Sequence, residues 1–142
     1  GLHPWSAALG VDQARRAAEV WAARRAQADA YDSLLAALSP AQRPRRAVGD
    51  VLLRYPLCLR PGSDREALTL ALAREGVELG RWFDDVVHPH GTRRPGYRDG
   101  DCPVGEATAA CIVNLPLGLH ARLSRGQALA LQRLLAGPEP RP

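Results

Sequence analysis

From Trp5 to Leu38 the chain runs without a proline and with a single glycine, Gly10. Alanine is abundant there, and Trp21, Ala28, Tyr31, Leu35 and Leu38 fall at steps suited to one helical stripe. The pattern predicts one long helix over residues 5–38, with a bend near Gly10. At ~1.5 Å per residue it would be roughly 50 Å long, more than the width of a compact domain of this size. Such a helix needs a partner beyond its own domain, and its stripe should be only partly covered by the rest of the chain.

The remaining residues read as a small α+β unit. "SPAQRPRRAVGD", residues 39–50, is a linker with two prolines and an arginine cluster, Arg43, Arg45 and Arg46. "VLLRYPLCLR" alternates around Tyr55, Leu57 and Leu59 and reads as a strand, with Pro56 placing it at an edge or bulge. "SDREALTLALAREG" opens with a capping box, Ser63 to Glu66, and closes at Gly76. "VELGRWFD" reads as a second strand. After a long loop, residues 103–111 form a helix with Pro103 in its first turn, and "CIVNLPL" is a short third strand cut by Pro116. A last helix starts at the capping box Ser124–Gln127 and ends at Gly137. The expected fold class is thus α+β: a long N-terminal helix, then a three-stranded sheet layer covered by helices. The divisions are 1–38 for the bridging helix, 39–50 for the linker, 51–136 for the small domain and 137–142 for a disordered tail.

Composition narrows the function. At 142 residues there is room for one domain with one core, and 46% hydrophobic with 24% charged residues is a globular balance. No apolar run approaches the ~20 residues that cross a membrane, and the first residues lack the form of a signal peptide. Cys58, Cys102 and Cys111 are odd in number and widely spaced, which argues against a disulfide framework and for a reducing cytoplasm. All 19 basic residues are arginine. The net charge of +4 raises nucleic acid as a partner. However, the arginines are scattered, and the few aromatics do not interleave with them as single-strand binding requires. Neither nucleic acid nor membrane is expected as a partner. The absence of lysine removes Schiff-base chemistry on a side chain of this chain.

Candidate chemical groups are few. His88 and His90 flank Pro89, without the cysteines or carboxylates that complete a usual zinc site, so no metal is expected. Cys102 precedes Pro103 at a helix start, where a capping role suits it better than reactivity. Asp84 and Asp85 are adjacent, so in a strand they would face opposite ways rather than form a dyad.

"HPWSAALGVDQARRAAEVWAARRAQADAYDSLLAAL" resembles the segment just downstream of the catalytic lysine in the DegT/DnrJ/StrS family of pyridoxal phosphate (PLP)-dependent sugar aminotransferases, of fold type I. "RYPLCL", "ALAREGVELGRWFD", "HP" with "GY" following, "CPVGEATAACIVNLP" and a closing "LS" helix resemble that family's small C-terminal domain, in order. The resemblance spans nearly all of residues 2–135. It implies that the chain is the C-terminal part of a cytoplasmic, homodimeric enzyme whose lysine and phosphate-cup residues lie upstream. An amino-acid donor such as glutamate or glutamine would pass its amine, through the cofactor, to a keto-sugar that is commonly nucleotide-linked. No catalytic or cofactor-binding residue is then expected within the chain itself. The family also includes dehydratases in which the lysine is replaced, and a stand-alone, non-catalytic binding module derived from the small domain is the alternative.

If the small domain caps a sugar site, the substrate-proximal residues are expected to be His3, Arg81, Trp82 and His88. Arg81 offers a planar fork for phosphate or carboxylate and Trp82 a stacking face, while the imidazoles can bond a hydroxyl or phosphate. As strand neighbours, Arg81 and Trp82 should face opposite sides, so at most one of them reaches the site. From the missing lysine, treating residues 1–142 with PLP and borohydride should leave no pyridoxyl group on any side chain. A mapped side-chain adduct overturns this; an adduct on the terminal amine does not count.

Overall fold

The computed structural model describes residues 3–39, 42–81, 83–89, 91–92, 96–119 and 121–136. The predicted tail at 137–142 and the closing Gly137 lie outside them. Seven elements follow in order: α1 (Pro4–Arg15), α2 (Ala17–Leu34), β1 (Tyr55–Cys58), α3 (Arg65–Arg74), α4 (Pro103–Cys111), β2 (Ile112–Leu115) and α5 (Arg125–Ala136).

The single long helix is not formed. It divides at Arg16, whose backbone (φ −90°, ψ −2°) closes α1 and opens α2, while Gly10 stays inside α1. The Arg16 amide is shared between the carbonyls of Asp12 and Gln13 instead of making one regular helical bond. No residue of α1 is buried, so no packing holds it in line with α2. At the other end α2 stops at Leu34, and a turn, with the Leu38 amide on the Leu35 carbonyl, carries both leucines into the core. The expected stripe divides accordingly: Ala28, Tyr31, Leu35 and Leu38 are buried, whereas Trp21 is 52% exposed.

The sheet has two strands rather than three. β1 and β2 pair antiparallel in the register Tyr55↔Leu115, Pro56↔Asn114, Leu57↔Val113 and Cys58↔Ile112. The Asn114 amide and carbonyl both point away from β1 and bond Gly80, each at 2.8 Å. Pro56 therefore occupies a position whose missing N–H would have faced the free edge, as its presence in the sequence required. The predicted second strand, "VELGRWFD", is reduced to that one bridge at Gly80. Val77 and Leu79 keep the alternating burial of a strand. The next hydrogen-bonded pair in this register would set Glu78 opposite Pro116, which has no amide to donate.

Tyr55, Leu57, Val113 and Leu115 form the centre of the core with Tyr31 and Leu35 of the α2 end, Leu72 of α3 and Leu131 of α5. The Tyr31 and Tyr55 rings meet at 5.2 Å between centroids, tilted by 53°. The Tyr31 hydroxyl donates to the Pro116 carbonyl (3.1 Å), and burial pushes its pKa up to about 12, so it stays a donor at every physiological pH. Buried Gln27 accepts from the Gly118 amide (2.9 Å) and donates to the Ala121 carbonyl. The linker is strapped to α2 by Arg46, which pairs with Asp29 (2.9 Å) and with Asp32; Asp32 also accepts from the Tyr55 hydroxyl (2.7 Å).

Cys58 is paired with Cys111 in a disulfide, with Cα atoms 5.1 Å apart, leaving Cys102 as the free thiol. This corrects the reading that the cysteines are unpaired, and it removes the cysteine argument for a reducing compartment. The pair is 53 residues apart in sequence. Strand register brings it together, because the Cys58↔Ile112 pairing sets the end of β1 beside the residue preceding β2.

Helix ends are closed locally. The α3 N-cap is Asp64, whose carboxylate accepts from the Ala67 amide at 2.9 Å; Ser63 was the expected cap, one residue earlier. Glu66, which would have completed that box, pairs with Arg81 instead. At the other end Gly76 (φ +75°) makes a Schellman turn, with the Val77 amide on the Leu72 carbonyl and the Gly76 amide on the Ala73 carbonyl. The second capping box forms as read: the Ser124 amide donates to Gln127 Oε1 (2.9 Å) and the Gln127 amide to Ser124 Oγ (3.2 Å). The Gln127 amide nitrogen also reaches the carbonyls of Glu75 and Gly76, so one side chain starts α5 and finishes α3. Replacing Ser124 by Ala should cost about 1 kcal/mol. Gln127→Ala should cost more, because it also removes the bonds to the Glu75 and Gly76 carbonyls that tie the two helix ends together. Urea unfolding of the two variants measures the difference, and equal losses would sink this account of Gln127.

Candidate functional site

Between the Gly80 bridge and the N-terminus of α4, the described residues 83–89, 91–92 and 96–101 form no helix or strand. Cys102 is the N-cap of α4 and Pro103 its first residue, but the expected cap by the cysteine side chain is not made. Glu106, one turn into the helix, does that work. Its Oε1 accepts from the Tyr97 hydroxyl, from the Gly100 amide (2.7 Å) and from the Cys102 amide at a longer 3.5 Å. A carboxylate suits this place, since donors and the positive end of the helix dipole converge on it. The Tyr97 bond, then the Gly100 amide, holds the Glu106 carboxyl below the usual carboxylate range. Reciprocally, bonding to that carboxylate raises the Tyr97 phenol above its ordinary value. Gly105 lets the loop approach, because a Cβ there would lie 2.7 Å from Val86 Cγ1.

Beside this hub lies a polar cavity of about 460 Å³ that includes Asp85, Thr92, Tyr97, Arg98 and Asp99 in its lining. The Arg98 amide donates to Asp101 (2.8 Å), which sets the turn that aims Arg98 and Asp99. Hydroxyl, carboxylate and guanidinium groups at one place can hydrogen-bond a polyhydroxylated or charged ligand; they supply no activated nucleophile. A larger cavity of about 660 Å³ runs between α2 and residues 118, 119, 122 and 123, lined mostly by alanine and leucine with Gln27, Tyr31 and Arg122. No group of three or more metal-ligating side chains occurs among the described residues. No helix among them is long and apolar enough to cross a membrane.

Of the four residues read from sequence, His3, Arg81 and His88 lie among the described residues, and none of the three lines the 460 Å³ cavity. His3 is the exposed N-cap of α1, its imidazole accepting from the Trp5 amide at 3.4 Å. Arg81 is exposed and its guanidinium pairs with Glu66 of α3, a solvent-screened contact of small energy. Trp82 and His90 lie outside the described residues. His88 is exposed in the loop, its ring edge-on to Phe83 with centroids 6.5 Å apart. Asp85 turns toward the Val87 amide (3.3 Å). The sequence reading passed over Tyr97 and Glu106. The available signal was a glutamate in the first turn of a helix directly after a Gly-Asp turn, where open amides need an acceptor.

The folded-state pKa of Glu106 is depressed, so its stabilisation of the 97–102 turn is fully present above the unfolded carboxylate pKa and is lost as pH falls through the folded value. Hydrogen exchange at Gly100 and Cys102, corrected for intrinsic rates, should therefore accelerate as the pH drops below the ordinary carboxylate range. In Glu106→Gln exchange should already be fast at neutral pH, with little further pH dependence. An unchanged pH profile in that variant would show that another group holds the turn.

Residues 2–129 match the DegT/DnrJ/EryC1/StrS aminotransferase family. Among curated proteins nothing matches. Among solved structures, the chain is similar to the aminotransferase TlmJ from Streptoalloteichus hindustanus, with a TM-score of 0.57 and 23% identity. That likeness, which bears on the fold, covers 87% of this chain and 32% of TlmJ, so the chain spans about a third of that protein's length. Because the family match extends over most of its residues, the chain belongs to the DegT/DnrJ/EryC1/StrS aminotransferase family.

Proposed function

We propose that this chain is the C-terminal portion, small domain included, of a PLP-dependent aminotransferase that aminates a keto-sugar, commonly nucleotide-linked, in the making of amino sugars, polysaccharides or antibiotics. Family membership over residues 2–129 carries this reading. The chain has no lysine, so no Schiff base to the cofactor can form on its side chains. The electron sink and its lysine then belong to a large domain, and no chemical step is assigned here to the small one. Its part is to bind and enclose. Trp5, Leu9 and Trp21, all more than half exposed, give α1 and the start of α2 an apolar surface for the large domain or a second subunit. Residues 83–89, 91–92 and 96–101 bring the polar cavity and His88 to the substrate side, with Arg81 and Trp82 just before them and His3 at the far end of α1. The working enzyme in this reading is a cytoplasmic homodimer that takes a keto-sugar and an amino-acid amine donor.

The test uses the full-length protein with PLP, an amine donor and nucleotide-linked keto-sugars. His3, Arg81, Trp82 and His88 are changed to Ala one at a time. A residue that touches substrate should lose at least ~10-fold in kcat/KM for the sugar, equal to ~1.4 kcal/mol of transition-state binding, with folding intact. If all four variants stay within about a factor of two of the parent, the small domain is a structural lid and these assignments fail. A parent protein that binds keto-sugars but transfers no amine to them would support the alternative, a non-catalytic binding module.

A further inference from the structure

The helix that carries Glu106 is poorly anchored. Of the nine residues of α4 only Ala109 is buried, and Val104 is 79% exposed. Its non-covalent ties near the C-terminal end are few: Arg65 donates to the Ala109 carbonyl (2.7 Å), and the Leu59 amide donates to the Cys111 carbonyl (2.9 Å). The covalent tie at the same end is the Cys58–Cys111 disulfide. An element with so little buried apolar surface belongs to the low-stability end of a fold, where one added tie has a large effect on order.

Two features make the bond reversible. Both cysteines are half-buried rather than sealed in the core, and both line an open, largely apolar groove of about 680 Å³ together with Pro61, Ala107 and Ala110. A small thiolate can therefore reach the sulfurs in the folded state. The Leu59–Cys111 backbone bond and the Cys58↔Ile112 register do not need the disulfide, so the two thiols stay side by side after reduction and re-form the bond intramolecularly. The segment closed by the bond, residues 59–110, contains α3, Gly80, the residues given for the polar cavity, and Glu106.

We propose that Cys58 and Cys111 form a thiol–disulfide switch that fastens α4 and the adjoining 97–102 turn when oxidised and loosens them when reduced. In the reducing direction a thiolate of a dithiol attacks one sulfur and displaces the other as a thiolate. The second thiol of the reductant then attacks the reductant's own sulfur in the resulting mixed disulfide and releases the remaining protein sulfur as a thiolate. The protein gains two electrons and two protons, and the dithiol leaves as its own disulfide. This does not rest on which reaction the parent enzyme performs.

The test maps alkylation by N-ethylmaleimide and hydrogen exchange in the folded protein, with and without dithiothreitol. Without reductant only Cys102 should be modified. With it, Cys58 and Cys111 should become reactive while the protein remains folded. Exchange across 103–111 should rise at least ~10-fold under conditions where the folded state dominates, before any rise at Leu57 and Val113 beyond that set by the lower global stability, and the melting temperature should fall by about 10 °C. Oxidised glutathione should restore the first state. Cys58→Ser/Cys111→Ser should match the reduced protein in α4 exchange; if that variant does not fold, the reduced protein gives the same reading. The proposal is overturned if the pair resists dithiothreitol until global unfolding, if α4 exchanges alike in both states, or if the thiols remain free after oxidised glutathione.

Discussion

A buried side-chain amide must satisfy both its ends, and the placement of α2 depends on how Gln27 does so. At 8% exposure it can reach little solvent, and leaving either end unpaired would cost about 1–3 kcal/mol. Its acceptor meets the Gly118 amide and its donor the Ala121 carbonyl, both more than ninety residues away in sequence. One turn along, Tyr31 bonds the Pro116 carbonyl. Together they fix the rotation and height of α2 against the chain leaving β2. The sheet needs that cover, because Val113, Asn114 and Leu115 are buried in succession and so both faces of β2 must be packed. The exit at "NLPLG" is thus shaped by α2: Pro116 stops the ladder toward Gly80, and its carbonyl is used by a tyrosine.

Helix ends do much of the remaining assembly. Gln127 closes the C-terminus of α3, and Gln132 of the same helix donates to the Leu34 carbonyl at the end of α2 (2.7 Å). α5 therefore reads the ends of two helices while burying Ala130, Leu131 and Leu135 between them. α1 and α4 lack comparable burial, and they are the two helices whose surroundings carry the functional proposals.

What was legible in the sequence was local. The Ser124–Gln127 box, Gly76, Pro103 at a helix start and the edge position of Pro56 each follow from backbone chemistry within a few residues. Tertiary pairing decided the rest. The second strand carried the right alternation, yet pairing depended on Pro116, which lies far along the chain. Cys58 and Cys111 looked unrelated until strand register set them together. The break at Arg16 had no glycine or proline to announce it, and the helix pattern continues through it. In the site, Arg81 carried the right chemistry, but Glu66 of α3 was already placed to take its charge. Glu106 and Tyr97 were hidden because each looked like an ordinary surface residue until the turn between them was known.

Asp32 has a broader consequence for how this fold can change. Its carboxylate joins three separate pieces of chain: it sits on α2, accepts the Tyr55 hydroxyl of β1 and pairs with Arg46 of the linker. Arg46 reaches Asp29 at the same time, a span that suits a forked guanidinium and not a single ammonium. The linker is thereby held to α2 mainly through this fork, with Arg43 adding a bond to the Asp32 carbonyl (3.5 Å). A change in linker length between Arg43 and Arg46 would separate two groups that meet at Asp32, and positions 29, 32, 46 and 55 should vary only in concert.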